Sequence, residues 1–281
     1  MMTDERRKRR HQGRGHVEIE GVFTHFSKAD EEDKEYSKRQ VDLFQRALIK
    51  FKERNVGLRF VHSSNSAGTM DQNLIYPNDF FDRSNKSTIL SRLGISLYGL
   101  SPSKEMINKE GIELKAAMSW KTRIVHVKSL QPGEKISYGG TFVTQRRPHT
   151  VIATLPVGYA DGFRRLLSGP DAMKDKWHVL VRGVRCPVVG RVCMDMTMID
   201  VSALDADRPV KEGEEVVLMG SQGSEVISCD DFASRLQTIN YEITCLVGKR
   251  VPRVYVSGGE WIASQSFDKL TLSSSFLSSS S

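Results

Sequence analysis

LRFVHSSNS, residues Leu58–Ser66, decides the fold class. Its first half is apolar and β-rich and its end is small and polar, as in a strand that delivers side chains at its carboxyl end. Upstream, EEDKEYSKRQVDLFQRALIKFKERN places Tyr36, Val41, Phe44, Leu48 and Phe51 at helical spacing behind an acidic first turn, and Asn55 with Gly57 supplies a stop. Further back, VEIEGVFTHF (Val17–Phe26) alternates and is rich in β-branched and aromatic residues, which predicts a strand ending at His25. Downstream, after a mixed stretch, ILSRLGISLYGL (Ile89–Leu100) predicts a third apolar strand. The order β, α, β, connection, β is that of a parallel α/β structure with its chemistry at the strand ends.

From Ala117 the pattern changes. TRIVHVKSL, HTVIATLPV, HVLVRG, CPVVGRVCMDMTMIDVS and EEVVLMG are short β-type runs separated by turn residues such as Pro132-Gly133 and Gly213. This predicts a mostly β second domain, with one short helix at Asp230–Leu236 and a closing strand in KRVPRVYV. The predicted organisation is therefore α/β plus β: a basic leader at 1–16 expected to be disordered, an α/β domain at 17–116, a β domain at 117–256, and a serine-rich tail at 257–281 expected to be disordered.

Charge adds little to the functional reading. The chain carries a net +7, but residues 1–16 hold six basic side chains (Arg6, Arg7, Lys8, Arg9, Arg10, Arg14) against Asp4 and Glu5, leaving only +3 for the rest. Such a run binds phosphates or marks localisation in some proteins, yet no zinc-finger spacing or interleaved aromatics accompany it, so nucleic acid is not expected as a partner. No apolar run is long enough to cross a bilayer, and the first residues are too charged for a signal peptide; a cytoplasmic location is expected. Cys186, Cys193, Cys229 and Cys245 are widely spaced, with no metal-binding pattern, so reduced thiols and no metal are expected.

Six short motifs carry the chemistry: FTHFSKAD (Phe23–Asp30), NSAG (Asn65–Gly68), RLGISLYG (Arg92–Gly99), SYGGTF (Ser137–Phe142), PVGYADGF (Pro156–Phe163) and GRVCMDM (Gly190–Met196). Together, from about Val17 to Val256, the chain resembles bacterial alanine racemases, which use pyridoxal 5'-phosphate to interconvert L- and D-alanine for cell-wall precursor supply. The resemblance implies a (β/α) barrel followed by a β domain, working as a head-to-tail homodimer. It also implies that the three strands of the α/β domain are the last three of that barrel, so that the domain is a partial barrel. A barrel typically needs about 250 residues, whereas the α/β part here has about 100.

The roles follow motif by motif. In barrel enzymes the loops after strands 7 and 8 often cradle a phosphate, and here the resemblance assigns that cradle to Ser66, Gly94 and Ile95, with the phenol of Tyr241 as a further contact and Asn65 as a cofactor-side polar neighbour. Arg92 matches the arginine that faces the cofactor's ring nitrogen, where a guanidinium gives up no proton. His25 matches the histidine that hydrogen-bonds this arginine; alone it would read as an ordinary strand-end residue. Racemisation needs a proton removed from one face of Cα and delivered to the other, hence two bases. Tyr138 matches the tyrosine on the L-alanine face, and a phenol with a reference pKa near 10 requires nearby positive charge to serve near neutrality. Tyr159, Met194 and Asp195 match substrate-side and entrance residues, donated with Tyr138 to the site of the neighbouring subunit.

Two departures stand out. The family's cofactor lysine lies in a K-A-x-A-Y-G-H-G type motif that this sequence does not contain, and Lys28 in SKAD lies where the family uses no lysine. The stretch between Asn65 and Arg92 is also longer than is usual in the family. The expectation is a racemase by lineage that is inactive alone for want of its covalent anchor and D-face base. The alternative is a non-catalytic interaction protein that pairs with a complete racemase subunit.

Overall fold

The computed structural model describes residues 18–71, 74, 87–107, 111–145, 148–168, 176–204, 208–266 and 269–272. The basic leader and the final serines lie outside the described residues, as does most of the long connection after Met70. The chain divides into two compact units, Met1–Ala116 and Ala117–Ser281.

The first unit contains a parallel three-stranded sheet in the order β1-β2-β3, with β1 at Gly21–Phe23, β2 at Phe60–His62 and β3 at Thr88–Leu90. Its register sets Phe23 beside His62 and His62 beside Leu90. Helix α1 (Glu35–Glu53) connects the first two strands. Phe44 and Leu48 of α1 are buried in a cluster with Val61, against which Val22, Val41 and Leu58 pack. Tyr36, on the predicted apolar stripe, is instead half exposed. A second cluster joins Phe26, Ala29, Ala67, Met70, Leu74 and Met106 beyond the strand ends.

All three strands are shorter than the apolar runs predict. Paired β-structure stops at His62 because Asn65 caps a five-residue helix α2 (Ser66–Met70), its side chain accepting the Gly68 N–H at 2.9 Å. The third run breaks after Leu90, and Ile95–Tyr98 coils into a 3₁₀ turn that ends at Gly99, whose φ of +68° suits glycine. These early terminations put the polar motifs on turns at the strand ends.

The second unit is β-rich and its strand pairs are antiparallel. Its large sheet runs β13-β12-β9-β10-β11-β8-β5 with β4 also on β12. These strands are β4 (Trp120–Arg123), β5 (His126–Leu130), β8 (Thr150–Leu155), β9 (His178–Val181), β10 (Val184–Val189), β11 (Thr197–Asp200), β12 (Glu215–Gln222) and β13 (Glu225–Ile227). A small hairpin pairs β6 (Lys135–Ile136) with β7 (Phe142–Val143). Leu155, Leu180, Ile199 and Leu218 are fully buried. Trp120, Phe163, Phe232 and Trp177 form a chain of edge-on contacts 4.6–6.2 Å apart between ring centroids. Helix α3 (Cys229–Leu236) starts at a capping box between Ser228 and Asp231, and α4 (Asn240–Leu246) follows.

One expectation needs correction. Serine content predicts disorder from residue 257, yet β14 (Arg253–Ser257) turns at Gly258-Gly259 into β15 (Glu260–Ser266), and β16 (Lys269–Leu272) adds a third antiparallel strand. The Gly-Gly turn, with φ of +59° and +85°, and the alternating EWIASQS run outweigh the composition.

Candidate active site

In the first unit the strand ends gather His25, His62, Asn65, Ser66, Arg92 and Gly94. Arg92 lies at the centre. Its backbone N–H bonds Ser64 O at 2.8 Å, fixing the chain just past β3 beside the end of β2. Its Nη2 donates to Thr24 O at 2.8 Å and Ser63 O at 3.3 Å, and stands 3.2 Å from His25 Nδ1. Its Nη1 contacts His62 Nδ1. Phe23 stacks on His62 with centroids 5.1 Å apart and lies under the Arg92 guanidinium at 5.2 Å.

Electrostatics keep the pair's protons in place. Burial first, and the Arg92 charge second, lower the pKa of His62 below its ordinary value. His62 is therefore a neutral acceptor at Nδ1. Burial also lowers the Arg92 pKa, but a guanidinium starts so high that it stays charged.

The second group surrounds Ser66, which is only 2% exposed. Its Oγ receives the Gly94 N–H at 2.8 Å, the Ser96 N–H at 3.3 Å and the Ser96 hydroxyl at 3.1 Å. With two lone pairs, the Ser66 oxygen accepts the Gly94 N–H in full and shares its other lone pair between the two longer Ser96 contacts. Space above Gly94 is open: a Cβ there would meet only Ser66 Oγ, at 3.5 Å. Ile95 starts the 3₁₀ turn beside it and is itself buried. Backbone N–H and hydroxyl groups gathered at a glycine turn are the groups that could re-aim at a phosphate, and a charged donor that yields no proton fits a pyridine nitrogen. Asn65 is spoken for locally, by Gly68 N–H and by Phe26 O at 3.1 Å. Lys28 is exposed and pairs with Glu31 at 3.0 Å.

In the second unit, three loops carry Tyr138, Tyr159, Met194 and Asp195. Tyr138 is 74% exposed, Tyr159 41% and Met194 54%. The GYADG turn is bonded to the VCMD loop backbone: Tyr159 N–H to Cys193 O and Ala160 N–H to Met194 O, both at 3.0 Å. Arg250 spans the same two loops, with Nε to Asp161 Oδ1 and Nη2 to Asp195 Oδ1, each 2.6 Å. Ser137 Oγ donates to Arg191 O at 2.7 Å and ties the Tyr138 turn to the third loop. Tyr241 lies in the first turn of α4 and is partly buried.

His62, Ser96 and Arg250 escaped the sequence reading. His62 could have been found as a strand-end histidine four residues before Ser66; Arg250 only by pairing residues 89 and 55 positions apart. Cys186 and Cys229 play no nucleophilic part, because burial pushes both thiols up to about 12. Among the described residues no group of three or more His, Cys, Asp or Glu could hold a metal ion, and no helix is long and apolar enough to cross a membrane.

Residues 117–255 match the family description "Alanine racemase, C-terminal domain", and residues 5–102 match "Alanine racemase, N-terminal domain". The chain belongs to the alanine racemase family. It is 46% identical over 246 residues to the alanine racemase of Clostridium novyi, covering 88% of this chain and 58% of that protein. It is 46% identical over 239 residues to that of Halothermothrix orenii, covering 85% and 57%. The crystal structure of the Bacillus anthracis alanine racemase with bound L-Ala-P aligns with a TM-score of 0.74 at 37% identity, over 88% of this chain and 58% of that one. A Clostridium difficile alanine racemase in complex with cycloserine gives 0.74 at 38% identity, over 89% and 60%. The chain thus spans about three fifths of the length of the alanine racemases it matches.

Proposed function

We propose that this chain supplies one half of an alanine racemase site, acting with pyridoxal 5'-phosphate on alanine in a dimer with a complete racemase subunit. The observation that carries this reading is Arg92, held among two histidines and two backbone carbonyls in the unit that also holds the Ser66 donor cluster. In this reading the first unit is the last part of a (β/α) barrel.

When bound, pyridoxal phosphate supplies the electron sink that acidifies the amino acid's Cα–H. Ser66, Gly94 and Ile95 would hold its phosphate, and Arg92 its ring nitrogen. The Arg92 guanidinium would donate a hydrogen bond to that nitrogen but no proton, because it stays charged. His25, accepting from Arg92 at Nδ1, offers its Nε2–H. That donor favours the phenolate form of a tyrosine base brought in by a partner subunit.

Tyr138 is the base this chain gives to its partner, working on the L-face. Met194 turns its backbone toward the substrate carboxylate, while Tyr159 and Asp195 border the approach. No residue of this sequence is assigned to the D-face; in the mixed dimer the complete subunit's own lysine serves the site that Tyr138 enters.

Mixing tests this. The partner is a complete racemase in which the tyrosine of its own SYGG motif is replaced by phenylalanine. Adding this chain should restore D-alanine formation from L-alanine. Two results would overturn the reading: no restoration, or D-alanine formation by this chain with cofactor alone.

A further inference from the structure

Ser137 occupies a backbone conformation that serine rarely adopts, with φ +63° and ψ −176°. This lies outside the left-handed helical well and in a region that belongs essentially to glycine. Neighbouring Gly139 and Gly140 also have positive φ, of +75° and +55°, but they are glycines and meet no penalty. The strained residue stands immediately before Tyr138.

Something must hold it there. Ser137 Oγ donates to Arg191 O at 2.7 Å and touches Cys193 Sγ at 3.4 Å, while Ser137 O accepts the Gly140 N–H at 3.1 Å. Across the gap, Gly190 has φ +69°, and a Cβ on it would come within 2.8 Å of Ser137 Cβ and 2.9 Å of Ile136 O. The Gly190 approach and the Ser137 hydroxyl together fix the turn. Cys193 bonds Tyr159 N–H through its carbonyl, so the same contact ties Tyr138 to the GYADG turn.

We propose that Ser137 is a positioning residue: its strained backbone and its bond to Arg191 O aim the exposed Tyr138 phenol and set its distance from the Tyr159 and Met194 loops. This rests on the reading of Tyr138 as the L-face base. A side chain that is 74% exposed receives little packing from its own unit, so its aim depends on its backbone.

Ser137→Gly separates positioning from stability. Glycine accepts the backbone angles and releases the strain, but it loses the hydroxyl bond and frees the turn, so the two effects on stability oppose. The variant should melt within about 3 °C of wild type, while turnover of the complemented dimer falls about 10- to 100-fold. A merely structural role would leave turnover intact whenever the melting temperature is kept. The second readout needs no activity: in the chain labelled with 3-fluorotyrosine, the ¹⁹F resonance assigned to position 138 should be narrow in wild type and broadened or split in Ser137→Gly.

If wild type fails to complement, the functional reading fails, and the ¹⁹F comparison still decides the positioning role. An unchanged ¹⁹F resonance overturns the proposal, as does unchanged turnover in a dimer that wild type restores.

Discussion

Arg92 Nη2 stands 3.2 Å from His25 Nδ1, and since a guanidinium has only donors, Nδ1 accepts and the imidazole carries its proton on Nε2. Asn65 Nδ2, 3.5 Å from that Nε2, then meets it donor to donor, and its amide is held instead by Gly68 N–H and Phe26 O. His62 is restrained in the same way from the other side of Arg92. One permanently charged residue thus sets the tautomer of two histidines. The arrangement presents positive charge and an N–H donor without a mobile proton at Arg92.

His62 makes the first unit acid-sensitive in a defined window. Its folded-state pKa lies below the unfolded value of 6.5. Above pH 6.5 both states hold a neutral ring and the full stability is present. As pH falls from 6.5 through the folded-state pKa, the unfolded chain binds the proton first and stability is lost. His62→Gln keeps an acceptor for Arg92 but cannot titrate. Its melting temperature should therefore fall less steeply than wild type between pH 6.5 and 5, measured by circular dichroism; parallel curves would refute this.

Ser66→Ala removes the oxygen on which the Gly94 and Ser96 N–H groups converge. Two donors lose their acceptor at a buried site, costing about 1–3 kcal/mol in urea unfolding. Loss of the hydroxyl that orders this turn should also raise the Kd for pyridoxal phosphate about tenfold in a fluorescence titration. An unchanged Kd would remove Ser66 from the cradle.

How much of this was legible in the sequence depends on range. Ser66, Gly94 and Arg92 sit in short motifs whose strand-end position follows from local pattern, and the structure gathers them with His25. His62 closes the short LRFVH run and reads as an ordinary strand-end residue; its role exists only because the β1–β2 register sets it beside Phe23. Arg250 follows the last helix and looks like one charge among several in GKRVPR; its two carboxylate partners come from distant loops. The run from Ile89 reads as one strand because apolar residues cannot by themselves distinguish a strand from the 3₁₀ turn that follows Leu90. At the other end, composition misleads at 257–272, where a Gly-Gly turn and alternation carry more information than serine content.

Arg250→Ala would sever the only side-chain link described between Asp161 and Asp195. Asp161 Oδ2 would keep the Gly158 N–H at 2.9 Å, so the GYADG turn should persist but breathe more. Hydrogen exchange at the Tyr159 and Ala160 amides, bonded to Cys193 O and Met194 O, should quicken about tenfold. Arg250→Lys, whose single ammonium cannot reproduce the two-armed geometry, should be intermediate. Equal exchange rates in all three proteins would show that the backbone bonds alone join the loops.

Gly158→Ala tests the closest approach between those loops. A Cβ at Gly158 would fall 2.3 Å from both Cys193 O and Met194 O, and backbone atoms on either side leave no flexible chain end to move aside. The Met194 loop would have to retreat, breaking the bonds from Tyr159 and Ala160 N–H. Overpacking of this kind costs about 1–3 kcal/mol. Gly57→Ala provides the contrast: nothing lies within 4 Å of a Cβ there and its φ is not positive, so alanine should stabilise by about 0.4–1 kcal/mol through the unfolded chain. Urea unfolding separates the two signs. In the mixed racemase dimer, Gly158→Ala should also raise the KM for alanine, because Met194 carries the backbone assigned to the substrate carboxylate, while Gly57→Ala should leave KM as in wild type. A Gly158→Ala chain with wild-type stability and KM would show that the two loops need not meet for the site to form.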